Sequence, residues 1–129
     1  MTSRSVLTIN LKDDPAAIET YRRYHRDVWP EVLQSLEQVG VRQMDIHLLG
    51  RRLVMILEMD HGLDYRVAFK AHHASCNDRV IEWERLMKSL QEPDANAHEG
   101  EWWAFMEPVF HMDQQEPANV RVAEPARLS

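Results

Sequence analysis

The chain has 129 residues, of which 44% are hydrophobic and 28% charged, the balance of one globular domain with a single core. Its net charge of −6 disfavours a phosphate-binding partner, so no nucleic-acid role is expected, and the short basic run Arg22, Arg23, Arg26 reads as a solvated helix face. The lone Cys76 excludes an internal disulfide framework, no apolar run is long enough to span a bilayer, and "MTSRSVLTIN" lacks a secretory core, so a cytoplasmic location is expected.

Residues 5–11, "SVLTINL", alternate with Leu7, Ile9 and Leu11 on one side, the period of a half-buried strand. "DDP" follows as an Asp cap with Pro15 at the first helical position, predicting a helix from Pro15 to about Asp27. Pro30 disfavours helical geometry at Trp29, so a break is expected there before a second helix carrying Val32, Leu33, Leu36 and Val39, with Gly40 at its end. Residues 42–49 and 52–60 form a hairpin about Gly50-Arg51. A helix begins near Tyr65, "SCND" interrupts it at 75–78, and another helix buries Val80, Trp83, Leu86, Met87 and Leu90. "EPDANAHEG" reads as a loop, and "WWAFMEPVFHM" (102–112) as a final strand with Trp102 and Trp103 on opposite faces, one inward and one toward a partner. Pro108 suggests an edge or bulge there. Residues 1–113 are expected to form the domain and 114–129 a flexible tail.

This order predicts an α+β fold, a ferredoxin-like βαββαβ unit with an antiparallel four-stranded sheet and helices on one face. The other face would carry Gln43, Asp45 and His47 beside Val54, Ile56 and Glu58, a mixture too apolar to stay wet, so a sheet-to-sheet homodimer is expected.

Tyr21 and His25 lie about 40° apart on a helix, on the stripe of Ile18 that faces the sheet, with Met44 or its neighbours opposite. Buried polar groups need partners, so either a polar ligand or a fixed internal hydrogen bond must satisfy the pair. Trp83, with Glu84 beside it, offers a flat wall suited to the C–H face of a sugar, although taken singly it reads first as a packing residue. His72 and His73 diverge by about 100° on a helix and are not expected to grip one metal. No HExxH, CxxC or glycine-rich phosphate loop is present. Cys76 reads as an inert thiol.

"YRRYHRDVWPEV" (21–32), Gly40, "EWERLM" (82–87) and "VFHMD" (109–113) together resemble the L-rhamnose mutarotase family over roughly residues 5–113. The resemblance implies a dimeric α/β barrel that interconverts the α and β anomers of a 6-deoxy-hexose such as L-rhamnose or L-fucose, with no cofactor and no metal. It places His25 on the family's proton-donor histidine, Tyr21 on a substrate-contacting tyrosine and Trp83 on the first of a sugar-holding Trp pair. The chain departs from the pattern at Glu84, where the second Trp is expected, and at Met44, where a tyrosine is expected. The catalytic candidates are thus His25 and Tyr21, and the substrate-binding candidates Met44, Trp83 and Glu84. The alternatives are another cofactor-free enzyme of the same plan, of monooxygenase or cyclase type, or a non-catalytic sugar-binding module. An extended apolar aromatic pocket would favour the former enzymes, and polar groups converging beside an aromatic wall would favour a sugar site.

Overall fold

The protein is described from a computed structural model that covers residues 2–74 and 77–112; Cys76 and the expected tail fall outside the described residues. In chain order the elements are β1 (Thr2–Leu11), α1 (Pro15–His25), α2 (Pro30–Gln38), β2 (Val41–Leu49), β3 (Arg52–Asp60), α3 (Tyr65–His73), α4 (Asp78–Leu90), β4 (Gln91–Glu92) and β5 (Ala104–Met106). The sheet runs β2-β3-β1-β4, antiparallel throughout, with β5 also paired to β1.

The fourth sheet position is therefore shared. β4 pairs with β1 at Asn10 and Leu11, and β5 pairs with it at Val6 to Thr8. The single strand expected over 102–112 reduces to three residues. Pro108 can donate no ladder hydrogen bond, and Glu107 to His111 carry no strand pairing. Trp102 and Trp103 are not divided between faces as expected: both are half-buried and both pack against the core.

Local chemistry sets the element ends. Asp14 caps α1 by accepting from the Ala16 N–H at 3.0 Å, and Pro15 fills the first helical position. Trp29 is extended (φ −60°, ψ 134°), as the residue before a proline must be, and Pro30 starts α2 on a new axis. Asp64 and Asn77 cap α3 and α4 through the N–H groups of Arg66 and Arg79. Gly40 turns α2 into β2 at φ +102°, where an added Cβ would collide with Leu63.

Alternation then fixes the faces. Leu7, Ile9, Leu11, Leu53, Met55, Leu57 and Met59 are buried, and all four helices contribute to the packing over them. A register shift between Val41 and Gln43 leaves Met44, Ile46 and Leu48 on the covered side and Gln43, Asp45 and His47 exposed on the other. The uncovered face carries half-buried Val6, Val54 and Ile56 at adjacent register positions.

Candidate active site

α1 supplies two rings one turn apart. Tyr21 is 4% exposed, and its ring stacks on that of His25 with centroids 4.0 Å apart. The His25 Nδ1 lies 2.9 Å from the Tyr21 main-chain carbonyl. A carbonyl can only accept, so Nδ1 carries the hydrogen and donates, which leaves Nε2 with the lone pair. Nε2 has no partner among the described residues. Burial lowers the His25 pKa below its ordinary 6.5, opposed by the carbonyl contact, so the ring is neutral at neutral pH. Desolvation drives the Tyr21 phenol far above its ordinary 10, so that group remains a donor. The Tyr21 hydroxyl has no protein partner among the described residues and is not one of the sealed, unpaired polar atoms, so it opens on the space beside it.

That space is a hollow of about 100 Å³ between helices and sheet, and Tyr21, His25, Met44, Trp83 and Glu84 all line it. The structure thus brings together every site residue named from the sequence. A wider cleft of about 650 Å³ between α2 and β2 shares His25, Met44 and Trp83. The Trp83 ring stands nearly edge-on to His25 at 5.3 Å and also meets Trp29 at 5.1 Å and Tyr24 at 6.2 Å. Arg79, on α4, lies over the Trp29 ring at 3.6 Å and so ties the α1–α2 break to the helix bearing Trp83.

Glu84 follows Trp83 and is held differently. Its Oε1 accepts from His72 Nε2 and its Oε2 contacts His73 Nε2, both at 3.1 Å. The second nitrogen of His72 lies 2.7 Å from the Ser35 hydroxyl on α2. Burial raises the Glu84 pKa, but the two histidine contacts together outweigh it and hold the carboxyl at about 2. It is an anion with both oxygens engaged, and so a poor direct base.

The sequence alone drew attention to His72 and His73 but not to their pairing with Glu84, nor to Ser35. Adjacent histidines diverge too far to share one metal ion, but a carboxylate has two oxygens and can receive one from each. The pairing joins α3 to α4 and α2 to α3, so no spacing within one helix signals it. Among the described residues no set of three His, Cys, Asp or Glu side chains is placed to hold a metal ion.

A neutral histidine, a phenol and an indole thus line one hollow between the helices and the sheet. The chain belongs to the L-rhamnose mutarotase family, whose pattern it matches over residues 4–112, and it is therefore an isomerase of the carbohydrate mutarotase class. It is 36% identical to the L-fucose mutarotase of Xanthomonas campestris pv. campestris over 113 residues, covering 86% of this chain and 89% of that one. The solved L-rhamnose mutarotase of Formosa agariphila superposes with a TM-score of 0.60 at 20% identity, over 85% of this chain and 98% of that one. The type-II polyketide cyclase tetracenomycin F2 cyclase of Streptomyces glaucescens shares the fold with a TM-score of 0.53 at 18% identity, over 84% and 97% of the two chains.

Proposed function

We propose that the protein interconverts the α and β anomers of a 6-deoxy-hexose, L-fucose or L-rhamnose, in the hollow beneath α1. The observation that carries this reading is the His25 Nε2 lone pair, unpartnered among the described residues, on a hollow that Trp83 also lines. Nε2 takes the anomeric hydroxyl proton as the C1–O5 bond opens; rotation about C1–C2 and reclosure give the other anomer. The Tyr21 phenol donates to a sugar oxygen, and Trp83 packs the C–H face of the ring. Met44, with Val32, Leu36 and Ile46 around it, offers an apolar seat for the C6 methyl that distinguishes a deoxy sugar. Glu84 contributes to the polar side of the hollow through its histidines. The polar groups beside the indole favour this reading over a cyclase, which needs an extended apolar slot.

The working form is a cytoplasmic homodimer packed through the uncovered sheet face. Val6, Val54 and Ile56 form its apolar strip, and Val109, Phe110 and Met112 stand largely exposed at the edge beyond β5. Light scattering should return a dimer's mass, and Ile56→Glu should return a monomer's. NMR saturation transfer between anomeric protons tests the activity over L-fucose, L-rhamnose and their 6-hydroxylated counterparts. Enhanced exchange, strongest for the deoxy sugars, is expected; no enhancement with any sugar would overturn the assignment.

A further inference from the structure

Opening a pyranose takes two proton movements at once, one off the anomeric hydroxyl and one onto the ring oxygen, and a single lone pair at His25 Nε2 accounts for the first only. The same hollow is also lined by the remaining titratable groups, His72, His73 and Glu84. His72 is committed: its side chain is 4% exposed, with one nitrogen on Glu84 and the other on Ser35. His73 is different. Its side chain is 49% exposed, Nε2 faces the Glu84 carboxylate at 3.1 Å, and Nδ1 has no partner among the described residues. Its ring borders both the inner hollow and an adjoining one of about 420 Å³, and it stacks on Phe69.

We infer that His73 is a second catalytic residue of this site, the acid that protonates the ring oxygen, and that Glu84, fixed by His72 and Ser35, is the residue that positions it. The inference rests on the mutarotase reading. A carboxylate is acceptor-only, so His73 must turn an Nε2–H toward Glu84, and this aims Nδ1 away as the working atom.

The protons balance. His25 Nε2 accepts the hydrogen of the anomeric hydroxyl while the C1–O5 bond breaks, and the imidazolium Nδ1–H of His73 passes to O5. The products are the open aldehyde, a protonated His25 and a neutral His73. After rotation about C1–C2, O5 attacks the other face of the carbonyl, returns its proton to His73 Nδ1, and the carbonyl oxygen takes one from His25. Both residues end as they began, so no external acid or base is consumed. The other charged groups around His73 are Arg66, Lys70, Lys88, Glu99 and Glu101 at the outer hollow.

The test uses the full chain with L-fucose and L-rhamnose, following kcat and KM for anomer exchange against pH. The wild-type kcat profile should have two limbs, one needing neutral His25 and one needing protonated His73. His73→Gln should lower kcat by about 10²-fold, leave KM within about two-fold, and remove one limb. Glu84→Gln should lower kcat about ten-fold and displace that same limb while leaving the other in place. Long-range proton–nitrogen NMR should find the neutral His73 ring protonated at Nε2, an observation independent of turnover. Wild-type kcat and an unchanged profile in folded His73→Gln, with His25→Ala inactive, would overturn the role of His73 alone; so would an Nδ1–H tautomer at His73. No acceleration by the wild type would instead overturn the mutarotase reading beneath it.

Discussion

The two sides of the hollow are built on opposite principles. On the α1 side one histidine is held by its own helix, through the carbonyl of the residue four positions earlier, and burial keeps it uncharged. On the α3–α4 side a carboxylate is held by two histidines from another helix, and one of those is held in turn by a serine from a third. The first arrangement needs one helix to form and the second needs three to dock. The first leaves a lone pair beside the hollow, and the second places a fixed negative charge there.

The largest expected effect breaks the α1 side. Replacing His25 with Ala removes the acceptor at Nε2 and should lower anomer exchange by about 10²–10⁴-fold in a folded protein. Saturation transfer measures the rate, and circular dichroism monitors the fold. Retention of the full rate would remove His25 from the chemistry.

Acid should expose the other side. Glu84 has a folded pKa of about 2 against an ordinary 4.5, so between these values the unfolded chain binds more protons than the folded one. Stability from this group is complete above about pH 4.5 and is lost as pH falls toward 2, on the order of 2–3 kcal/mol. His25 acts in the same direction at higher pH. Its folded pKa lies below 6.5, so the unfolded chain protonates first and stability falls as pH drops just beneath that value. Thermal melts of wild type and Glu84→Gln across the acid range should converge toward pH 2. Parallel curves would show that the histidines do not hold the carboxylate down.

The same contrast explains what could be read before folding. Alternation in 5–11 and 42–49, the apolar run of 52–60, the Asp14–Pro15 start and the Trp29–Pro30 break are local signals, and each appears in the structure. Tyr21 and His25 were legible because one helix carries both at the spacing that stacks them. Glu84 was legible as a departure beside Trp83, but not its setting, because His72, His73 and Ser35 meet it only through tertiary docking. The edge strand failed for another reason. An apolar run with aromatics has strand composition, yet β1 offers its edge to two short strands, and Pro108 stops the second.

A smaller effect separates packing from donation at Tyr21. Tyr21→Phe keeps the ring stacked on His25 and removes only the hydroxyl that opens on the hollow. Stability should change by less than about 1 kcal/mol, since no protein hydrogen bond among the described residues is lost, while kcat/KM should fall about ten-fold through one lost contact to the sugar. Isothermal unfolding and saturation transfer on the same samples distinguish the two. A stability loss of several kcal/mol with catalysis intact would make Tyr21 a core residue and nothing more.

Tyr65 supplies the converse case and the smallest effect. Its hydroxyl also lacks a partner among the described residues, but it is sealed from solvent, and the residue lines the outer hollow, which Tyr21 does not line. A buried, unpaired hydroxyl costs desolvation and recovers nothing, so Tyr65→Phe should leave stability unchanged or raise it by up to about 1 kcal/mol. The ring's stacking on Phe105 and the Arg66 guanidinium over it, 4.7 Å from its centroid, both survive the change. A urea midpoint that moves up or stays still fits this account. A drop of more than about 1 kcal/mol would mean the hydroxyl is paired in solution. Of Tyr21 and Tyr65, only the one whose hydroxyl opens on the hollow should then matter to the sugar.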